Sequence, residues 1–200
     1  MHAEALPLFP LPTVLFPEGV LPLRIFEPRY LTMIGRCMKD GVGFGVVLAR
    51  SDRNPSSASD FHPFGTACEI TDWGQGDDGL LHIVVRGRRR FKVRGTSLQT
   101  DGLIVGDVQF RDANWGRPLA PEDAWLAELV AQMIAELPQS GMPSPSRLDD
   151  AAWVSFRLSE MLPLVLAQRQ ALLQMDDADA RLIVLRQTIR LIEDEVEESA

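Results

Sequence analysis

The sequence predicts an α+β protein, a curled mixed or antiparallel sheet with one inserted helix followed by an all-helical part. Three observations predict it. Up to about residue 112 the apolar residues come in short runs bounded by Gly, Pro or charge, the length of strands rather than helices. From Ala120 onward the apolar spacing changes to a helical period. Charge divides at nearly the same place. Residues 1–110 hold 12 Lys+Arg and 12 Asp+Glu while 111–200 hold 8 and 16, so the net charge of −8 belongs to the second part. The expected organisation is a β-rich lobe over 1–112, a linker over 113–120 and a helical lobe over 121–200.

TVLF (13–16), VLPLRI (20–25) and GFGVVLA (43–49) read as the first strands. Between the last two a helix is expected. Pro28 suits a first helical residue, where its missing N–H costs nothing, and Glu27 places negative charge at the positive end of the helix dipole. Tyr30, Ile34 and Cys37 share a face, and Gly41 suits the C-terminal stop. TACEITD (66–72) and LLHIVV (80–85) flank GQGDDG (74–79), a hairpin connection rich in residues that accept positive φ. RRRFKVR (88–94) and LIVGDVQF (103–110) continue the strands.

Pro121 opens the helical part, with Trp125, Leu126, Leu129, Val130, Met133, Ile134 and Leu137 on one side. QSGMPSPS (139–146) reads as a loop. A helix from about Asp150 carries Trp153, Val154, Arg157, Leu158, Met161 and Leu162 at helical spacing. Pro163 breaks the chain before LAQRQALLQM, and a last helix spans roughly 178–196 with Leu182, Leu185, Ile189, Ile192 and Val196 in register. Its acidic end opposes the helix dipole and is expected to fray.

Composition narrows the function classes. The two cysteines, Cys37 and Cys68, have no metal-type spacing, so no disulfide framework is expected and a reducing, cytoplasmic setting fits. The opening residues carry no Lys or Arg before Arg24 and several prolines, unlike a secretory leader. No apolar run approaches the ~20 residues of a membrane span. Net negative charge disfavours nucleic acid as the main partner.

Several separated motifs carry a family resemblance. PLFPLPTVLFPEGVLPLRIFEPRYLTMI resembles the opening of the Lon protease N-terminal, substrate-recognition domain. GFGVVLA, GTACEIT and VVRGRRRFKV follow in that family's order, and LPLVLAQRQALLQMDDADARL is similar to its helical end. The likeness runs from about Leu6 to Val196. It implies a PUA-like curled sheet or pseudobarrel, related also to the Lon-like domain of cereblon, followed by a helical lobe. It further implies a stand-alone module that binds unfolded or extended polypeptide segments, serving a protease or chaperone, without transforming them.

No enzyme is expected. A phosphate-cradling loop needs Gly-Lys-[Ser/Thr], whereas Lys39 and Lys92, the only lysines, follow Met38 and Phe91. A Ser–Lys peptidase needs a buried, activated lysine, and both lysines read as solvated. His62, Cys68, His82 and Cys37 show no recognised ligand spacing, so ordinary packing is expected rather than a metal site. No catalytic residue, metal or cofactor is assigned, and an uncharacterised hydrolase is the lowest-ranked alternative.

For polypeptide contact the candidates are Glu27, Arg29, Trp73 and Trp115. Glu27 and Arg29 serve only if the helix start is open, an internal pairing being the plainer reading. Trp73 lies by the polar hairpin loop. Trp115 sits in the linker, where an anchor between lobes is the plainer reading, and Met142 in its Pro/Ser loop is a further contact candidate. Capture is expected on a strand edge or in a groove between the lobes, with the opening prolines blunting the edge against indiscriminate pairing. The rival class is RNA binding on the basic run from Arg86 to Arg94, using Arg88, Arg89 and Lys92. In a regular strand Arg88, Arg90, Lys92 and Arg94 would share one side.

Overall fold

The computed structural model describes residues 4–50, Ser57, 60–136 and 147–198, with side chains of the last helix to Asp194. Met142, Leu137 and the 139–146 segment lie outside the described residues. The chain divides into two compact units, one built on residues up to Asp112 and one on residues from Ala113.

The first unit contains β1 (Glu4–Leu11), β2 (Val20–Ile25), α1 (Pro28–Asp40), β3 (Phe44–Ala49), β4 (Phe61–Gln75), β5 (Leu81–Leu98) and β6 (Ile104–Arg111). The strand order is β2-β5-β4-β3-β1-β6, and β6 pairs again with β5. Five strands therefore close a circuit, and β2 is appended to it. β5 makes this possible by its length. Its first half pairs with β2 and its second half with β6, while β4 runs alongside most of it. The runs LLHIVV and RRRFKVR are thus one strand, not two.

The opening segment departs from expectation in two ways. TVLF is not a strand. Bracketed by Pro12 and Pro17, it folds as a buried connection in which Val14, Leu15 and Phe16 are covered and the Thr66 hydroxyl donates to the Leu15 carbonyl at 2.6 Å. The second departure is that the first prolines do not mark a sheet edge. β1 pairs with β6 through residues 4–8 and with β3 through residues 8–11. Pro7 precedes the first β3 pair and Pro10 lies beyond the last β6 pair, so each ring sits where one neighbouring strand is absent. The edge strand is β2, which carries Pro22.

β1 is buried on both faces, and its alternation sorts the core. Leu6 and Leu8 join Phe61, Phe91, Val93 and Val108 in one cluster. Phe9 joins Tyr30, Met33, Ile34, Cys37 and Phe44 in the other, with its ring 3.9 Å from that of Tyr30. Phe91 fills its cluster only because Gly65 leaves room; a Cβ there would stand 2.8 Å from the ring and 2.2 Å from the Val46 carbonyl. α1 begins and ends as its sequence foretells, with Pro28 in its first turn and Gly41 left-handed at φ 66°, its amide donating to the Cys37 carbonyl.

The second unit holds α2 (Ala124–Glu136), α3 (Ala151–Met161), α4 (Leu166–Gln174) and α5 (Ala178–Glu198). Asp150 caps α3 by accepting from the Ala152 and Trp153 amides at 2.9 and 3.2 Å, and its other oxygen accepts from Gly116. α3 is buried on every side from Ala151 to Ser159. Two arginines are buried with it. Arg157 pairs with Glu160 at 2.6 Å. Arg181 donates to the Ser155 hydroxyl and the Met175 carbonyl and lies over the Phe156 ring. No helix among the described residues is long and apolar enough to cross a membrane.

Candidate functional site

An open groove of about 580 Å³ lies on the first unit, between the C-terminal end of α1 and the face of β4 and β5. Met38, Val42, Ile70 and Trp73 supply apolar walls, and Phe110 of β6 supplies part of the far end. Trp73 is 62% exposed and Val42 55% exposed, which is unusual for large apolar side chains so close together. Trp73 is held on β4 opposite Ile83, with its amide donating to the Asp72 carboxylate at 2.8 Å. On its other side a second groove of about 530 Å³ crosses β2, β5 and β4 over Leu23, Ile83 and Val84. Trp73 therefore stands between two grooves.

Arg24 and His82 line that second groove and meet Asp78 of the β4–β5 turn. Asp78 accepts from Arg24 at 2.8 Å and lies 3.1 Å from the His82 ring nitrogen. The Leu80 amide above all, then His82 and Arg24, hold the Asp78 carboxyl below its ordinary range. The second groove's lining holds no Ser, Thr, Cys or Lys beside this cluster.

The basic run is not the uniform stripe expected of a regular strand. Thr66 pairs with Arg90 and Cys68 with Gly87, so Ala67 faces two residues, Arg88 and Arg89. This bulge turns both arginines outward and puts Arg90 inside, 1% exposed, where it donates to the Asp112 carbonyl at 2.7 Å. Arg86 pairs with Glu18 at 2.6 Å, and Arg88 pairs with Glu69 and Glu18. Lys92 lies over the Phe64 ring and Arg94 donates to Gln109. Much of the run is thus neutralised or occupied within its own unit. Arg89 differs: its guanidinium lies 4.4 Å from the Phe110 ring centre, at the wall of the first groove.

Glu27 and Arg29 are joined to each other at 2.9 Å, and Arg29 also donates to the Gly102 carbonyl at 3.0 Å. The pair fastens the start of α1 to the β5–β6 turn. Trp115 packs against Phe156 with ring centres 5.8 Å apart and is covered on another side by Arg147, all within the second unit. Cys37 and Cys68 are free thiols, and burial raises both above the ordinary thiol range. His62 lies in β4, where burial and then Arg50 lower its pKa. Among the described residues no group of His, Cys, Asp and Glu is placed to hold a metal.

Of the residues that line the first groove, sequence reasoning named Trp73 as a candidate but not Met38, Val42 or Ile70. Those three come from separate elements, and their only advance signal was Val42 standing between two glycines.

A closed β-circuit with an appended strand and a packed helix, followed in the chain by α2 to α5, defines an α+β module with an open groove beside Trp73 on its first unit. The chain belongs to the family described as the ATP-dependent protease La (LON) substrate-binding domain, whose model matches residues 5–189. Among solved structures it is similar to a Lon N-terminal domain protein from Xanthomonas campestris, with 38% identity, 92% of this chain and 98% of that one covered, and a TM-score of 0.77. The N-terminal domain of a Mycobacterium avium complex Lon protease shares the fold at a TM-score of 0.62 and 21% identity, with 91% and 96% covered. A Lon protease of Cytophaga hutchinsonii is 26% identical over 187 residues, 89% of this chain and 23% of that protein. Cereblon of Danio rerio is 30% identical over 110 residues, 53% of this chain and 25% of that protein. The chain spans about a quarter of the length of these relatives.

Proposed function

We propose that this chain is a polypeptide-binding module that seats apolar side chains of extended or unfolded segments in the groove beside Trp73, without cleaving them. The observation that carries this reading is the exposed trio of Trp73, Val42 and Met38, with half-buried Ile70, lining one open groove of about 580 Å³. An unpartnered apolar patch of this kind is a contact surface, and the family is described as substrate-binding.

The non-enzymatic part of the reading rests on the groove's own chemistry. Its two thiols are buried and held protonated, so neither is an activated nucleophile. Lys39 is exposed at the end of α1 and Lys92 lies over an aromatic ring, so neither is a buried base. A protease is the downstream partner such a module would serve, and two free cysteines suit a reducing cytoplasm.

The free edge of β2 is a poorer site than the groove. The Gly87 amide donates to Gly19, which fixes the ladder's phase and points the backbone of Val20, Pro22 and Arg24 outward. Pro22 therefore removes the middle donor from the edge.

The test is fluorescence anisotropy with a labelled protein kept unfolded by reduction and carboxymethylation. Saturable binding at micromolar concentration is expected, and Trp73→Ala and Val42→Ser should each weaken it severalfold with an unchanged melting curve. Absence of saturable binding at high micromolar concentration overturns the reading.

A further inference from the structure

The first groove combines apolar residues around Trp73 with charged ones, Glu4, Glu69, Arg88 and Arg89, and its charges are unequally satisfied. Arg88 is consumed by Glu69 and Glu18. Arg89, turned out by the same bulge, lies against the Phe110 ring, and among the described residues no carboxylate pairs with it. A guanidinium held over an aromatic face is still charged, and its N–H fork matches a carboxylate. Glu4 also lines the groove, exposed and without an ion pair among the described residues.

The distance between the two ends follows from the strand. Ala67, at the level of Arg89, and Trp73 lie six residues apart on β4. At ~3.3 Å per residue that is about 20 Å, slightly less because of the bulge between Ile70 and Asp72. An extended segment along β4 would span it in about six residues.

Resting on the polypeptide-binding reading above, we infer that the groove selects extended segments that carry a bulky apolar residue for the Trp73 end and, about five or six residues away, a carboxylate for Arg89. The groove would then rank unfolded chains by where their acidic residues fall and not by hydrophobicity alone. The carboxylate is recognised by a two-pronged charge-assisted contact. Glu4, in the lining of the same groove, opposes it by like charge.

The test uses labelled Gly/Ser peptides with one Phe and, six residues on, either Glu or Gln, titrated against the full chain by anisotropy. The wild-type chain should prefer the Glu peptide about threefold to fivefold at low salt, and 0.5 M salt should erase the preference. Arg89→Gln should remove it without changing affinity for the Gln peptide, Arg89→Lys should keep part of it, and Glu4→Gln should enlarge it. A Glu placed next to the Phe should bring no gain. Trp73→Ala should weaken both peptides equally. An unchanged Glu/Gln ratio in Arg89→Gln, with Trp73→Ala still weakening both, overturns this inference and leaves the binding reading standing. Failure of the wild-type chain to bind either peptide or unfolded protein overturns both.

Discussion

Arg29→Ala separates the structural role of the α1 start from recognition in the groove. The Arg29 side chain is only 12% exposed, pairs with Glu27 at 2.9 Å, donates to the Gly102 carbonyl at 3.0 Å and lies 4.7 Å from the Tyr30 ring centre. A hydrogen bond from a charged donor contributes about 1.5–3 kcal/mol. The ring contact adds about 0.5–1 kcal/mol, and the ion pair with a partly exposed glutamate adds at most about 1 kcal/mol. These contributions overlap because they share one group. Arg29→Ala should therefore destabilise the first unit by about 2–3 kcal/mol. Urea denaturation followed by circular dichroism measures the loss, and amide exchange in α1 and in residues 99–103 locates it. Arg29→Lys should restore less than half, since lysine cannot serve the carboxylate and the carbonyl in the same planar arrangement. Binding of unfolded protein below the melting transition should be unchanged. A loss under 0.5 kcal/mol, or a binding defect in folded Arg29→Ala, would refute the fastening role.

Four further outcomes follow from other sites. Phe91→Ala removes a fully buried ring from the cluster around Leu8 and Val108 and should cost about 3–5 kcal/mol, seen as a lowered urea midpoint. Asp150→Ala removes the cap of α3 and the partner of the Gly116 amide and should cost about 1–2 kcal/mol, read as faster exchange of the Ala152 and Trp153 amides. Asp78 has a folded pKa below its unfolded value, so its contribution is present above the unfolded pKa and is lost as pH falls through the folded one. Exchange at the Leu80 amide, corrected for intrinsic rate, should rise as pH drops below about 4, and Asp78→Asn should abolish that dependence. Cys37 and Cys68, with raised thiol pKa values, should react with iodoacetamide at pH 8 at least about tenfold more slowly in the native chain than in urea.

What the sequence made legible was local. α1 could be read from end to end because Pro28, Gly41 and the spacing of Tyr30, Ile34 and Cys37 all sit within one short window. The start of α3 near Asp150 and the Pro163 break are equally local. Arg90 was misplaced because a bulge is a property of two strands; nothing within RRRFKVR says that Ala67 will face two residues. TVLF has a strand's composition, yet the prolines on both sides fix the backbone at each end and leave room for only four residues between them. The groove was the least legible feature, since Met38, Val42, Ile70 and Phe110 converge only after α1 has packed on the sheet. Trp73 was visible beforehand because an indole beside a polar turn has little of its own chain to cover it.

The two prolines of β1 have a further consequence. Sliding a strand by one residue would exchange its faces and is resisted by the core itself, since Leu6 and Leu8 would trade places with Phe9. Sliding by two keeps every side chain on its proper face, so hydrophobicity alone would permit that error. Here it would carry Pro10 to the level Leu8 now holds beside β6, or Pro7 to the level Phe9 holds beside β3. Either move sets a nitrogen without hydrogen before a waiting carbonyl. The rings thus act as stops at both ends of travel, so the segment that begins this fold can be threaded into it in a single alignment.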